Sequence, residues 1–381
     1  MTAARRVVGV FVMLLAGCAP PAPPPAVVVP EAKPAAGIDA GVAFLVRHQS
    51  PDGAWRSDEY ATFKDGTALT PLVLCSLLDA NAEPDARSRA AEWLAAKVNP
   101  DGTIDEGPDG LPYPVYTAAL TVVALSHPQF VGRYTRQRDA WLEYLLARQL
   151  TEANGWTNGD PHFGGWGYYP GVPRKPKPGA AVPVQHLLES NISATRFALE
   201  ALVAVNDPRR FRDRATAASA FVDSCRHPDG GSHFVAGDPV RNKAGTADGR
   251  FNSYGSATAD AALCDESTDR LIGRTRETNA GANWLAAHFD ADRHPGTYIP
   301  AHESNRNAVY FYYAAASAKV FTRRPPAARP WSNELTVALL NRQRADGSWA
   351  NRLELVREND PILATANAVS ALAHCRTAAQ K

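Results

Sequence analysis

Between residues 154 and 191 the chain concentrates side chains able to hold a ligand. Trp156, His162, Phe163, Trp166, Tyr168 and Tyr169 are followed by His186, Glu189, Ser190 and Asn191. Gly164, Gly165 and Gly167 lie among them, and residues without a Cβ let the backbone pass close to another group. A second group holds Tyr254 and Asp260, and a third His302, Glu303, Asn305 and Tyr310. Aromatic rings with carboxylates and amides suit sugars, whose faces stack while their hydroxyls bond to acids. Glu189 and Glu303 facing each other across a cavity would suit glycoside hydrolysis, in which the separation of two carboxyls sets the mechanism. Asp260 is the third carboxyl candidate. Plainer roles compete: Glu189 or Ser190 as a helix cap, Trp166 as packing, Asp260 as a tie to a neighbouring helix end. One histidine from each of two distant segments, His186 and His302, is a poor basis for a metal, so neither metal nor cofactor is expected.

These groups sit in a repeated frame. Phe44-Leu45, Gln49, Asp52-Gly53 and Trp55 return at the same spacing as Ala338-Leu339, Gln343, Asp346-Gly347 and Trp349. Anchors at Phe44, Trp93, Tyr144, Phe221, Trp284 and Ala338 each precede a turn: Asp52-Gly53, Asp101-Gly102, Asn154-Gly155, Asp229-Gly230, Pro295-Gly296 and Asp346-Gly347. Asp and Asn bond their own backbone at such turns, and Gly takes the positive φ. Before the first turn, Ile38, Val42 and Leu45 share one helical face. After the turns come alanine-rich stretches, apolar around most of their circumference as buried helices are: Thr67–Leu78, Tyr116–Ser126, Ser190–Val205, Ser256–Leu263, Ala308–Phe321 and Ile362–His374. Repeats of this period cannot bury their apolar faces alone and must stack. The expected architecture is all-α: six helical hairpins closed into an α6/α6 toroid, amphipathic helices outside and buried helices inside. In a ring the first and last units are neighbours, which accounts for their being the most alike. The candidate side chains then gather at the starts of the inner helices, around a central cavity.

The segment 44–55 resembles the QW motif of squalene and hopene cyclases, whose α/α toroid is shared by protein prenyltransferase β subunits. The copy at 338–349 lacks only the aromatic anchor, and the third unit keeps Tyr144-Leu145, Gln149 and Gly155-Trp156 with two residues added. The resemblance implies that Gln49, Asp52, Gly53, Trp55, Gln343, Asp346, Gly347 and Trp349 are structural ties and not catalytic groups. The chemistry of such rings does not carry over. The cyclases protonate an alkene with an Asp-x-Asp-Asp motif, which this sequence lacks, and they have two barrels where this chain has room for one. The prenyltransferase Asp-x-Cys zinc motif, the thioester Gly-Cys-Gly-Glu-Gln and the lanthionine-cyclase Cys-His-Gly are also missing; Cys264-Asp265 and His374-Cys375 run in the reverse order. The expectation is a protein that binds a ligand or partner in its cavity without cyclase activity. The alternatives are a glycosidase- or lyase-like enzyme acting on a polysaccharide, and a structural envelope protein.

The N-terminus points to export. Arg5 and Arg6 precede the apolar run Val7–Leu15, which is too short for a membrane span of ~20 residues. Leu15-Ala16-Gly17-Cys18 then resembles the lipobox of bacterial lipoproteins. That resemblance implies acylation of Cys18 and a membrane anchor, and Ala19 after the cysteine leans to the outer membrane, facing the periplasm. Seven of the 30 prolines fall between residues 20 and 34, so the segment is an extended tether at ~3.1 Å per residue. The expected divisions are leader 1–17, tether 18–36 and toroid 37–381. A formal charge of +1 without a basic stripe argues against a nucleic-acid partner. The expected partners are the membrane and a small molecule, glycan or protein. Cys75, Cys225, Cys264 and Cys375 allow three disulfide pairings; the apolar helical setting of three of them favours buried free thiols.

Overall fold

Helix starts are written into the chain by proline and by short polar caps. Proline is the first residue of five α-helices, where its missing N–H costs nothing and its fixed φ fits. The Asn191, Asp207, Asn279 and Asp360 side chains accept the first free backbone N–H groups of four helices. Asn81 and Asn206 end two helices in the left-handed region. The computed structural model describes residues 33–180, 185–237, 241–327 and 329–380. Cys18, the leader and nearly all of the tether lie outside the described residues, as does the side chain of His186.

Among the described residues the protein is all-α apart from one two-stranded ribbon, Thr246–Ala247 with Arg250–Phe251. One set of helices comprises α1 (Pro34–Arg47), α3 (Pro84–Ala96), α5 (Thr135–Leu146), α7 (Pro208–Ser224), α9 (Ala280–His288) and α11 (Trp331–Leu340). The set alternating with it comprises α2 (Leu69–Ala80), α4 (Pro114–Leu125), α6 (Ile192–Val205), α8 (Gly255–Ile272), α10 (Tyr310–Arg323) and α12 (Pro361–Ala379). In this second set each helix packs against the next, and α12 packs back on α2. The helices of the second set are therefore the more buried: every residue of α8 from Gly255 to Asp265 is buried, and small side chains let its neighbours approach. Helical structure begins at Pro34, inside the segment read from sequence as tether.

The terminal hairpins meet. The Gln343 amide donates to the Gly37 carbonyl (3.0 Å), the Arg47 guanidinium to Asp346 O (2.8 Å), the Tyr60 hydroxyl to Asn359 (2.7 Å) and Arg376 to Ala80 O (2.7 Å). The repeat residues make the same bonds in different units. Gln49 donates to Gly53 O and to Ala86 O of α3, both at 2.9 Å; Gln343 donates to Gly347 O as well as to Gly37 O of α1. The Trp55 and Trp349 indoles donate to Leu45 O and Leu339 O at 2.7 Å, and their backbone N–H groups donate to Thr70 and Thr365 hydroxyls at 3.0 Å.

The third unit repeats this pattern in a register that differs from the sequence reading. Gln149 donates to Gly164 O (2.8 Å) and Arg214 O (3.0 Å), the Trp166 indole to Leu145 O (2.9 Å), and Trp166 N–H to the Thr195 hydroxyl (3.0 Å). The equivalents of Gly53 and Trp55 are thus Gly164 and Trp166, not Gly155 and Trp156. An insertion between Gln149 and Gly164 supplied a decoy Gly-Trp. Gly53, Gly164 and Gly347 have φ of +96°, +87° and +90°. A Cβ there would lie 2.6, 2.1 and 2.4 Å from the carbonyl oxygens of Arg89, Ala217 and Ala40. Each turn therefore lies against the backbone of α3, α7 or α1, and only glycine satisfies both constraints. All four cysteines among the described residues are free thiols.

Candidate functional site

The starts of the alternating buried helices surround a cavity of about 210 Å³. Eight aromatic rings line it: Phe63, Tyr113, Tyr116, Tyr168, Phe197, Phe234, Tyr254 and Tyr312. Seven of them form a connected collar, while Tyr254 lies against His294 and Tyr298. Tyr116 stacks on Tyr168 at 5.7 Å and lies 5.2 Å from Phe197, Phe197 is 6.3 Å from Tyr312, and Tyr168 is 6.4 Å from Phe234. Tyr113 joins the collar at 6.3 Å from Tyr116, with Phe63 at 6.4 Å from Tyr113. Such contacts fix ring orientation beyond what burial alone would do.

The polar groups on this wall are few. Asp260, on the second turn of α8, is buried and accepts a 2.7 Å hydrogen bond from the Tyr312 hydroxyl, which is 2.6 Å from the Ser193 hydroxyl. Burial pushes the Asp260 carboxyl up to about 6, against the opposing pull of Arg196, Tyr312 and Ser193. Glu358, in the loop before α12, accepts the N–H groups of Phe311 (2.9 Å) and Tyr312 (2.7 Å) at the start of α10. Burial pushes it up to about 7 in spite of those bonds. Both oxygens of Glu358 are therefore occupied by helix capping, whereas the Asp260 carboxyl is bonded by the Tyr312 hydroxyl, with Ser193 beside it. Lys243 also lines the wall, half-buried, with its amine 4.6 Å from the Phe234 ring centre.

Beneath lies a second, smaller cavity of about 80 Å³. Leu72, Leu120, Phe197, Tyr312 and Asn367 line both and form the partition. The lower space is charged: Glu200 pairs with Arg196 at 3.2 Å and with Lys319 at 2.9 Å, and Ser370 donates to Asp79 at 2.6 Å.

The candidates named from sequence are distributed unevenly over this geometry. Tyr168, Tyr254 and Asp260 line the cavity. Asn191 is adjacent, capping α6 through Ala194 N–H and lying 3.5 Å from the Tyr116 hydroxyl. Trp166 is a structural tie. Trp156 packs with Leu150 and Leu188, its indole donating to Pro173 O at 2.6 Å. His162 is half-buried, and its carbonyl accepts from the Ser190 hydroxyl at 2.6 Å. His302 contacts Lys243 O through Nδ1 (3.1 Å), Asn305 is exposed, and the Tyr310 hydroxyl donates to Ala291 O at 2.5 Å. The proposed acid pair is not brought together as a catalytic couple. Glu189 binds Arg241 at 2.6 Å, Glu303 binds Arg306 at 2.7 Å and Arg293, and neither lines the cavity. Arg306 and Arg293 hold the Glu303 carboxyl down to about 2, which suits a salt bridge and not a proton donor.

Sequence reasoning missed Tyr116, Phe197, Tyr312, Lys243 and Glu358. Helical phase was the available signal for three of them. Residues 310 and 312 lie two apart, about 200° around a helix, so choosing Tyr310 selected the wrong face. Ser193 and Phe197 are one turn apart and share a face. Lys243 and Glu358 lie in loops, where no periodicity marks them.

No protein-family model matches the sequence, and no curated protein matches it. Solved structures do share the fold. Type II terpene cyclase MstE from Scytonema, without ligand, superposes with a TM-score of 0.57 at 13% identity, over 89% of this chain and 97% of that one. A variant of that cyclase in complex with geranylgeranyl dihydroxybenzoate gives 0.57 at 14%, over 91% and 98%. A glycosidase variant in complex with glucose gives 0.53 at 12%, over 90% and 98%. The terpene cyclase is covered almost end to end, so size alone does not separate this chain from such enzymes. At these identities the likeness extends to the all-α fold and no further.

Proposed function

We propose that this chain is an α6/α6 toroid, anchored to the envelope by a lipidated Cys18, that takes an apolar guest of the isoprenoid class into its central cavity. One observation carries the reading: eight aromatic rings line a space with few polar groups. Mostly apolar pockets with a few placed polar groups are the usual form of a small-molecule site. The likeness to a cyclase chain solved with a geranylgeranyl compound supports a guest of that kind. The missing Asp-x-Asp-Asp run supports binding without cyclisation, and Cys18 with its small-residue flank supports the anchor.

A second reading is favoured by Asp260. A carboxyl raised to about 6, and so protonated in mildly acidic solution, facing aromatic rings that stabilise cations, has the parts needed to protonate an alkene. The glycan alternative would also have to use Asp260 or Glu358, since Glu189 and Glu303 are held by arginines.

The test is direct. Purified protein is titrated with farnesol, geranylgeraniol and soluble oligosaccharides, and each mixture is analysed for products. Farnesol or geranylgeraniol binding without turnover supports the first reading. Isoprenoid products that vanish in Asp260→Asn would replace it with the second, and glycan cleavage would overturn both. For the anchor, metabolic labelling with a fatty acid must mark the wild-type chain and not Cys18→Ala.

A further inference from the structure

Lys243 is the cavity group that guest binding leaves without a role. Other lysines are matched to acids: Lys319 pairs with Glu200 at 2.9 Å and Lys175 with Asp160 at 2.6 Å. Its neighbour Arg241 pairs with Glu189. Among the described residues, the Lys243 amine has an aromatic face beside it and no carboxylate within ion-pair distance. It shares the cavity wall with Asp260 and Glu358.

We propose that the Lys243 amine is a covalent attachment site, condensing with the carbonyl of an apolar aldehyde or ketone held among the cavity rings. This deepens the guest-binding reading and rests on it. A desolvated lysine beside another cation is the usual form of an imine-forming amine. Burial first, and Arg241 second, push Lys243 down to about 8, against the pull of Asp260 and Glu358. A useful share of the amine is then neutral near physiological pH.

The step balances with groups present on the wall. The amine lone pair attacks the carbonyl carbon, and the C=O π pair moves to oxygen, which takes a proton from Asp260. The nitrogen of the resulting carbinolamine loses a proton to the Asp260 carboxylate. Protonation of the hydroxyl by the same acid lets it leave as water, the nitrogen lone pair closes the C=N bond as an iminium, and the iminium N–H proton returns to the Asp260 carboxylate. One amine and one carbonyl give one imine and one water. No oxidant or reductant is needed.

The test uses geranial as the carbonyl probe, geraniol as its non-condensing counterpart and sodium borohydride to reduce any imine to a stable amine. Peptide mass mapping should place the adduct on Lys243 at least ~10-fold faster than on an exposed lysine such as Lys64, because a lower pKa frees more amine. Lys243→Arg and Lys243→Met should both lose the adduct, each checked for an unchanged melting curve, with geraniol binding read on the wild type. If geraniol binds but Lys243 is labelled no faster than Lys64, the attachment site is refuted and guest binding stands. If neither compound enters the cavity, both fall.

Discussion

Replacing Asp260 by Asn should make the protein more stable at neutral pH, which is the reverse of the usual result for a buried polar residue. Asn keeps the shape, and its carbonyl oxygen can accept the Tyr312 hydroxyl that Asp260 accepts at 2.7 Å. Arg196 keeps Glu200 at 3.2 Å. What Asn removes is ionisation. The Asp260 carboxyl titrates at about 6 in the fold against an ordinary 3.8. Between those values the folded chain keeps a proton that the open chain has released, so raising the pH favours unfolding. Above pH 6 both states are ionised and the penalty stops growing. At about 1.4 kcal/mol per pH unit, the wild type loses about 3 kcal/mol relative to the variant across that window. The assay is urea unfolding of both proteins at pH 4, 5, 6 and 8, with equal slopes required so that the free energies compare. Glu358 contributes its own pH dependence to both proteins, and it cancels in the difference. A difference that stays flat from pH 4 to pH 8 would refute the idea that the cavity keeps Asp260 protonated, and with it the acid-catalysis reading.

Four further outcomes follow from the same geometry. Tyr312→Phe removes the O–H donor that favours the Asp260 carboxylate, so the pH window should move above 6 in the same unfolding series. Gly347→Ala and Gly102→Ala share a positive φ of +90° and +88°, but only the first puts a Cβ 2.4 Å from a carbonyl oxygen, while the second meets open space. Gly347→Ala should therefore lower the melting temperature well beyond Gly102→Ala, and equal losses would show that the turn is not clamped against α1. Gln343→Ala leaves the Gly37 and Gly347 carbonyls without their shared donor and should cost ~1–3 kcal/mol in denaturant unfolding. Burial pushes the Cys225 and Cys375 thiols up to about 12, so a thiol reagent should leave both unmodified until denaturant is added.

The frame was legible because it is enforced by several copies of one bonding scheme. A glutamine that must reach two carbonyls and a glycine that must touch the next helix leave few substitutes, so Gln49 and Gln343 announce the same job across the chain. The scheme became unreadable where the chain was lengthened. Between Gln149 and Gly164 an insertion carries its own Asn-Gly-Trp, and spacing cannot tell a displaced motif from a decoy. Only the hydrogen bonds from Gln149 to Gly164 O and from the Trp166 indole to Leu145 O reveal the register.

The acids illustrate a different limit. Glu189 and Glu303 drew attention because they lie in polar, aromatic-rich loops, and that setting is where an acid finds an arginine. Glu189 found Arg241, and Glu303 found Arg293 and Arg306. An acid that is to keep a proton needs the opposite surroundings, with burial and no cation in contact. Asp260 meets that condition because α8 is buried from Gly255 to Asp265 and the acid's partner is the Tyr312 hydroxyl and not a cation. A lone carboxyl inside an alanine run costs desolvation and gains nothing from helix propensity, so its presence there is itself the signal. By the same reasoning Glu358 is the weaker candidate: its surroundings raise it as well, yet both its oxygens are committed to Phe311 and Tyr312. Asp260, bonded by the Tyr312 hydroxyl and not spent on the backbone of a helix start, is the one placed to act on whatever the cavity holds.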